Sequence, residues 1–255
     1  MLSAATNGDV GQLTQLLKNN AENIKVKDND GKSPLHLAAE NGHVEAVKLL
    51  LDKKAKAAIE ARDKAGDSPL HSASMKGHAS VVRLLLENKA KIAAKGRDGN
   101  SPLHLAAEEG HEDVVELLLE YNANIEAKSN RNRTPLQLAA EKGKEAVVRL
   151  LLAQNPNIAA INTGVTSPIH LAAENGHASV LKLLLDNYAS IEGGNKGGGV
   201  SPLHLAATNG HVETVRLLLE KNADIAAKDN GGFSPLHLAA MNGHAGTVKL
   251  LLDKK

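Results

Sequence analysis

Histidine is the residue type in this sequence best suited to chemistry, because its imidazole titrates near neutral pH and binds transition metals. The chain has 12 histidines and no cysteine. One series of histidines follows a Pro-Leu or Pro-Ile pair, at His36, His71, His104, His170, His204 and His237. The other series follows a glycine, at His43, His78, His111, His177, His211 and His244.

The spacing of these histidines does not match the usual metal and catalytic motifs. Members of the two series lie seven residues apart, which is not a common zinc-ligand spacing, and His-Glu-x-x-His does not occur. Gly31-Lys32-Ser33 resembles the end of a phosphate-binding loop, but Val26 stands where that loop needs its first glycine. The lack of cysteine excludes disulfides, thiolate metal sites and a cysteine nucleophile. We therefore predict a protein that is not an enzyme and uses no metal or cofactor.

The histidines belong to a phrase that recurs seven times. It runs from Ser33 to Ala39 as Ser-Pro-Leu-His-Leu-Ala-Ala. It begins again, at intervals of 33 to 35 residues, at Ser68, Ser101, Thr134, Ser167, Ser201 and Ser234. A glycine and a Leu-Leu-Leu run follow each copy at a fixed offset. Such self-similarity is typical of repeat architectures, in which each unit is one supersecondary element.

The phrase predicts two short helices in each unit. Ser33 is a favourable N-cap, Pro34 suits the first helical position, and Gly42 can end the helix in the left-handed conformation. A second helix is predicted from about Val44 to Asp52, where the apolar residues have helical spacing. A left-handed residue is expected after this helix, at Asn122, Asn155 and Asn222, and with more strain at Lys89 and Tyr188.

The unit D-x-x-G-x-[S/T]-P-L-H-L-A-A-x-x-G-H-x-x-V-x-x-L-L-L resembles the ankyrin repeat. This resemblance covers nearly the whole chain and implies an all-α fold, an ankyrin-repeat α-solenoid. Each unit then has a β-turn finger, an inner helix and an antiparallel outer helix. It also implies that the first histidine series bridges the Ser or Thr hydroxyl and the finger backbone. We predict a single ankyrin-repeat domain over 1-255, with a degenerate unit at 1-27 followed by units at 28-62, 63-95, 96-128, 129-161, 162-195, 196-228 and 229-255.

Several fingers depart from this motif, and we expect them to be bent or mobile. The finger Asp is replaced by Gly96, Ser129, Asn162 and Lys196, and the finger Gly by Asn132 and Val165. Gln137 and Lys144 replace the two histidines of one unit. The glycine-rich stretch 193–199 is expected to be the most flexible finger, because glycine loses the most backbone entropy on ordering.

The architecture favours a protein-interaction scaffold. Stacking buries the apolar stripe of each unit and leaves the fingers and inner helices on a concave surface. By resemblance, ankyrin proteins bind partners at the variable positions of this surface. The partner-binding candidates are Lys32, Met75, Arg97, Arg131, Arg133, Lys142, Val200, Phe233 and Met241.

Two hypotheses concern these candidates. An apolar anchor for a partner could be formed by Phe233, Met241 and Val200, since interface hot spots are often apolar. The alternative is that the Phe233 ring lies on the next finger. Arg97, Arg131 and Arg133 could attract an acidic partner segment; the alternative is an ordinary solvated face.

Composition narrows the class of partner. Lys plus Arg number 30 and Asp plus Glu 29, which argues against a nucleic-acid partner. No signal peptide and no apolar run of membrane-spanning length occurs, so we predict a monomeric cytoplasmic protein with a protein partner and no membrane partner.

Two alternatives remain open. The chain could be an engineered or consensus-like array with no natural partner, or an ankyrin fragment of a larger channel, kinase or bacterial effector.

Overall fold

The structure is a computed structural model that describes residues 1–52, 58–157, 167–187, 189–192 and 199–254. Within these ranges the chain forms tandem pairs of α-helices and no β-strand. The all-α, ankyrin-repeat α-solenoid class predicted above is confirmed. The chain divides into two compact units, Met1–Arg131 and Asn132–Lys255, which are described separately.

The first compact unit contains four inner and four outer helices among its described residues. The inner helices are α1 (Leu2–Thr6), α3 (Pro34–Glu40), α5 (Pro69–Lys76) and α7 (Pro102–Glu109). The outer helices are α2 (Val10–Asn19), α4 (Val44–Asp52), α6 (Ala79–Glu87) and α8 (Glu112–Glu120). Short 3₁₀ turns cover Ala21–Lys25 and Arg97–Gly99.

The second compact unit has the same alternation in the part that is described. Its inner helices are α9 (Pro135–Glu141), α11 (Pro168–Glu174), α13 (Pro202–Thr208) and α15 (Pro235–Met241). Its outer helices are α10 (Glu145–Ala153), α12 (Ala178–Asp186), α14 (Val212–Glu220) and α16 (Ala245–Asp253).

Local signals in the sequence set the helix ends. Ser33 caps α3 by accepting a hydrogen bond at Oγ from the His36 backbone N–H, and Pro34 occupies the first helical position. Gly42, which follows α3, has φ 73°, a left-handed conformation that favours glycine. The predicted second helix from Val44 to Asp52 coincides with α4.

The residues after the outer helices are left-handed, as predicted. Asn122, Asn155 and Asn222 have φ values of 61°, 52° and 66°. Lys89 has φ 70° at the same position, although lysine adopts the left-handed conformation less readily than asparagine. Tyr188, the other predicted case, lies outside the described residues.

The core of each unit consists mainly of leucine, alanine and valine between neighbouring helix pairs. In the first unit α3 packs against α5 and α5 against α7; in the second, α11 packs against α13 and α13 against α15. Leu35, Leu70 and Leu203 of the inner helices are essentially fully buried, as are Leu85 and Leu184 of the outer helices. Because one helix pair cannot bury both of its faces, each pair depends on its neighbours for stability.

A finger aspartate closes the turn before an inner helix. Oδ1 of Asp28 accepts hydrogen bonds from the backbone N–H groups of Asp30 (2.9 Å) and Lys32 (2.8 Å). Asp229 binds the backbone of Gly231 and Phe233 in the same way, at 2.9 and 2.8 Å. These bonds hold the finger at a fixed angle to the helix that follows it.

The finger that begins at Gly96 has an altered backbone, which agrees with the expectation of a bent finger: Arg97–Gly99 form a 3₁₀ turn in which Asp98 has φ 51°. The turn keeps its closing backbone bonds, since Gly96 N–H donates to Asn100 O at 2.8 Å and Gly99 N–H to Gly96 O at 3.0 Å. Asn132 has φ 59° and takes the left-handed conformation of the finger glycine it replaces. The expectations for Asn162, Val165, Lys196 and the glycines at 193–198 fall outside the described residues.

Among the described residues, the structure has no helix that is long and apolar enough to cross a membrane.

Candidate functional site

The first histidine series caps the inner helices. Nδ1 of His36 accepts the backbone N–H of Ser33 at 3.2 Å and lies 2.8 Å from Ser33 Oγ. Since Nδ1 accepts a hydrogen bond, Nε2 carries the ring hydrogen, and it donates to the carbonyl oxygen of Asp67 in the following finger at 3.0 Å. The ring therefore joins one inner helix to the next finger, which is the role that the family resemblance implied.

The same bridge recurs along the chain. Nε2 of His71 donates to Asn100 O at 3.2 Å, and His170 and His204 donate to Val200 O and Phe233 O at 3.1 and 3.2 Å. Burial lowers the pKa of His36, His71 and His170, because desolvation disfavours the imidazolium. These rings are thus neutral structural donors.

Gln137 replaces the capping histidine in one repeat and makes some of the same hydrogen bonds. Its Oε1 accepts the backbone N–H of Thr134 at 2.9 Å and the Thr134 hydroxyl at 3.2 Å. The substitution therefore preserves the cap on α9.

The second histidine series joins the start of an outer helix to the end of the inner helix in the preceding repeat. His78 Nε2 donates to Glu40 O at 2.9 Å, and His244 Nε2 donates to Thr208 O at 2.9 Å. The glycine after the inner helix leaves room for this ring: a Cβ at Gly42 would lie 2.7 Å from His78 Nδ1. Both histidine series thus have structural partners, and the described residues contain no group of three or more His, Cys, Asp or Glu that could hold a metal ion.

Two cationic candidates are paired with glutamates of their own repeat. Lys32 Nζ lies 2.6 Å from Glu40 Oε2, and Arg133 Nη1 lies 3.1 Å from Glu141 Oε2. In both repeats the cation precedes the capping Ser or Thr, and the glutamate is the last residue of the inner helix. These two positions, which we call the rim pair, are therefore in direct contact in both repeats.

Arg97 is held by a different carboxylate. Its backbone N–H and its Nε donate to Oδ1 and Oδ2 of Asp67, at 2.8 and 2.6 Å. The Asp67 side chain is almost completely buried, whereas 42% of the Arg97 side chain is exposed. The hydrogen bond that Arg97 Nε donates to the Asp67 carboxylate raises the pKa of the Arg97 guanidinium.

The Asp67 carboxylate also accounts for the glycine at position 96. A Cβ on Gly96 would collide with Asp67 Oδ1 and lie 2.7 Å from His71 Cδ2. The loss of the finger aspartate there therefore accompanies the gain of the Asp67–Arg97 pair. The repeat motif alone does not reveal this pair; an Asp before Ser-Pro together with Gly-Arg in the next finger is the signal that could have indicated it.

The remaining basic candidates are at or near exposed edges. Arg131 is exposed at the end of the first compact unit. Lys142 is exposed in the second unit, at the C-cap of α9. The acidic-partner hypothesis remains a prediction, although the structure gives Arg97 and Arg133 intramolecular carboxylates.

The apolar candidates of the second unit lie at the rim-pair positions. Phe233 precedes the capping Ser234, and Met241 is the last residue of α15, so they are the counterparts of Lys32 and Glu40. Phe233 is 39% exposed and Met241 69% exposed. The Phe233 ring meets the His237 ring edge-on, with centroids 6.3 Å apart. This geometry places the ring beside its own inner helix.

Val200 and Met75 are half-buried and also lie at rim-pair positions. Val200 precedes Ser201, and its carbonyl oxygen accepts from His170. Met75 is the counterpart of Glu40 in the first unit, and its carbonyl oxygen accepts from His111 Nε2 at 2.9 Å. Their backbones are thus fixed by the histidine bridges.

Comparisons with known proteins agree with the repeat geometry. The family model described as "Ankyrin repeats (3 copies)" matches residues 1–96, 57–129, 92–162 and 169–255. The chain is 40% identical over 55 residues to Ankyrin repeat domain-containing protein 49 of Drosophila melanogaster, a match that covers 22% of this chain and 26% of that protein. It is 41% identical over 56 residues to the Ankyrin repeat, PH and SEC7 domain containing protein secG of Dictyostelium discoideum, covering 22% of this chain and 6% of that protein. The matched segments thus span less than a third of either relative.

A solved structure covers far more of the chain. The crystal structure of the human ASB11 ankyrin repeat domain superposes with a TM-score of 0.81 and 29% sequence identity, over 88% of this chain and 98% of that one. Because the family model also matches well over half of the residues, this chain belongs to the ankyrin-repeat family.

Proposed function

We propose that this chain binds another protein through its fingers and inner helices, and that Phe233 and Met241 form the apolar anchor for that partner. Ankyrin repeats generally mediate protein–protein interaction, which supports the general role. The observation that carries the proposal is the exposure of an apolar rim pair at positions where two other repeats place an ion pair.

The fold itself does not require apolar side chains at this rim pair. The Lys32–Glu40 and Arg133–Glu141 pairs show that charged residues fit the same positions. The backbone of Phe233 binds Asp229 and His204 and would do so with any side chain, while its ring contacts His237 of its own repeat. An exposed Phe and an exposed Met at the two rim-pair positions of one repeat are suited to burial against a partner, since aromatic residues and Met are enriched in interfaces.

The other candidates supplement this anchor. Val200 lies in the second unit, in the finger whose repeat precedes that of Phe233. Arg133 and Lys142 lie at the start of the second unit, while Lys32, Met75, Arg97 and Arg131 belong to the first. Lys32, Arg97 and Arg133 are held by carboxylates, so a partner would meet cations of fixed orientation whose charge is largely compensated.

A charge-for-apolar exchange at the rim pair tests the anchor. Phe233→Lys combined with Met241→Glu recreates the Lys32–Glu40 arrangement, so we expect the variant to fold with a free energy of unfolding within about 0.5 kcal/mol of wild type. The wild type and this variant would be used to capture proteins from cell lysates, with quantification by mass spectrometry. Val10→Ala is the matched control, since Val10 is 36% exposed but begins the outer helix α2.

We expect a partner that the wild type and the Val10→Ala protein retain and the rim-pair variant loses. Equal retention by all three proteins would overturn the anchor. If no lysate yields a protein above background, the alternative of a repeat array without a natural partner gains support instead.

A further inference from the structure

Four consecutive fingers are each preceded by a basic residue, and all four of these residues belong to the first unit. They are Lys27, Arg62, Lys95 and Lys128. Lys27 Nζ donates to Arg62 O at 2.7 Å, and Arg62 Nη1 donates to Lys95 O at 2.9 Å. Lys95 Nζ donates in turn to Lys128 O at 3.2 Å. Each of the first three side chains is thus held on the backbone of the next member, and we call the four residues the cation row.

The cation row differs from the paired cations described above, because its members have no carboxylate partner. Arg97 and Arg133 lie 2.6 and 3.1 Å from a carboxylate oxygen. In the part of the chain that the structure describes, no member of the row forms an ion pair, and the acceptors of the first three are backbone carbonyl oxygens. Three members are exposed and Arg62 is half-buried. Since an ammonium has three donors and a guanidinium five, these groups keep donors for a ligand.

The positive charge of the row is least compensated at its second half. The fingers after the first two members begin with aspartate, whereas the fingers after Lys95 and Lys128 begin with Gly96 and Ser129. These departures from the repeat motif remove an adjacent negative charge. We therefore expect an anionic ligand to be attracted most strongly to Lys95 and Lys128.

A cavity of about 320 Å³ lies beside these two cations, and both of them line it. Its apolar wall is formed by Ile92, Ala93, Ala123 and Ala127. Glu126 is also in the wall, which disfavours a carboxylate inside the cavity. The volume is at the lower limit of the about 300–1,000 Å³ of small-molecule pockets. The cavity therefore suits an apolar side chain of a larger ligand.

The spacing of the row distinguishes between extended peptide conformations. Neighbouring inner helices such as α3 and α5 pack together, and packed helices lie about 8–10 Å apart, so the cations recur at about that interval. On one face of a β-strand, side chains are about 7 or 13 Å apart, because alternate residues point to opposite faces. In a polyproline II segment every third side chain lies on one face, at intervals of about 9 Å. Polyproline II is thus the extended conformation that matches the row in register.

We propose that the cation row binds an acidic segment of a partner protein in the polyproline II conformation, with a carboxylate at every third residue. An apolar residue between two of the carboxylates enters the cavity beside Lys95 and Lys128. Four carboxylates in this register need a segment of about ten residues. The row ends at Lys128, since Ile161 precedes the next finger in the sequence. The proposal rests on the proposed function in taking the ligand to be a protein, but it uses the first unit, whereas the apolar anchor belongs to the second.

The test measures fluorescence anisotropy of a labelled peptide made of four Glu-Pro-Leu triplets with the full chain. A control peptide has the same composition with its glutamates adjacent at one end. Lys95→Gln combined with Lys128→Gln removes the second half of the row. The matched control combines Lys18→Gln with Lys48→Gln, which removes two exposed cations from the outer helices α2 and α4. Urea unfolding checks that both double variants are folded, and a single-stranded oligothymidylate of similar length is measured as a second anion.

We expect the variant at Lys95 and Lys128 to bind the triplet peptide about fivefold to tenfold more weakly, because two partly exposed ion pairs are lost. The control variant should change the affinity less than about twofold, and the peptide with adjacent glutamates should bind about fivefold more weakly than the triplet peptide. Binding should also weaken as salt rises from about 10 to about 100 mM, since the Debye length falls from about 30 to about 10 Å.

Several results would overturn the proposal. These are an absence of peptide binding, equal weakening by both double variants, equal affinity for the two peptides, and tighter binding of the oligothymidylate than of the triplet peptide. The rim-pair variant Phe233→Lys with Met241→Glu should bind the triplet peptide as the wild type does, because its net charge is unchanged. Failure of the peptide test would leave the lysate capture through the rim pair unaffected, and failure of that capture would leave peptide binding unaffected, so the two failures are distinguishable.

Discussion

The Nε2–H of His36 donates to the carbonyl oxygen of Asp67 at 3.0 Å and joins an inner helix to the finger of the next repeat. The bond spans 31 residues of sequence, so it forms only when neighbouring repeats are stacked in register. Counterparts at His71, His170 and His204 give the same link at other junctions. The protonation state of these imidazoles is therefore coupled to the stacking of the repeats.

This coupling predicts a loss of stability in mild acid. Burial holds the pKa of His36, His71 and His170 below the ordinary histidine value of about 6.5. Well above pH 6.5 both folded and unfolded states are neutral at these positions, and stability is fully present. As the pH falls below that value, the unfolded chain binds protons that the folded chain does not, and the free energy of unfolding decreases. The slope approaches about 1.4 kcal/mol per pH unit for each such histidine.

Urea unfolding at pH 7.5, 6.5 and 5.5 measures this effect. The matched variant is His36→Gln, since Gln137 shows that a glutamine at this position accepts the N-cap backbone N–H. We expect His36→Gln to lower stability at pH 7.5 and to reduce its dependence on pH. A free energy of unfolding that stays constant from pH 7.5 to 5.5 would contradict the coupling.

Local features of the fold were predictable from sequence, and contacts between distant residues were not. Ser33, Pro34 and Gly42 act within a few residues of themselves, so the bounds of α3 and α4 follow from cap and turn chemistry. The Asp67–Arg97 pair joins positions 30 residues apart, and its formation depends on the register between two fingers. The repeat motif defines that register but does not say which side chains use it.

The candidate site likewise has features that the sequence predicted and features that only the structure revealed. That Phe233 and Met241 depart from the polar residues of most other repeats is visible in the sequence. That Phe233 and Met241 correspond to a contacting pair became clear only from the Lys32–Glu40 distance in the structure. The sequence does not give the distance in space between two residues that lie eight positions apart across a helix N-terminus.

A second prediction concerns the coupling of Asp67 to Gly96. Gly96→Ala should lower the free energy of unfolding by about 1–3 kcal/mol, because the new methyl group collides with the buried Asp67 carboxylate and the His71 ring. In an Asp67→Gly background one of these collisions disappears, and we expect the cost of Gly96→Ala to be at least about 0.5 kcal/mol smaller. A double-mutant cycle from urea unfolding gives this coupling energy. Strictly additive effects of the two substitutions would show that Asp67 does not exclude a side chain at position 96.

A third prediction compares two glycines of the second unit that share a backbone conformation. Gly210 and Gly243 have φ values of 72° and 74°, so alanine incurs a similar left-handed strain of about 1–2 kcal/mol at either position. Only at Gly210 does the added methyl group also collide with an imidazole, that of His244, whose bond to Thr208 O would be displaced. We therefore expect Gly210→Ala to lower the free energy of unfolding by at least about 1 kcal/mol more than Gly243→Ala. Urea unfolding of the two variants measures the difference. Equal costs would mean that the histidine yields without loss and that the glycine is retained for its φ angle alone. A larger cost at Gly210 would instead show that the glycine of each Gly-His pair serves two purposes, ending one helix and seating the ring that fixes the next.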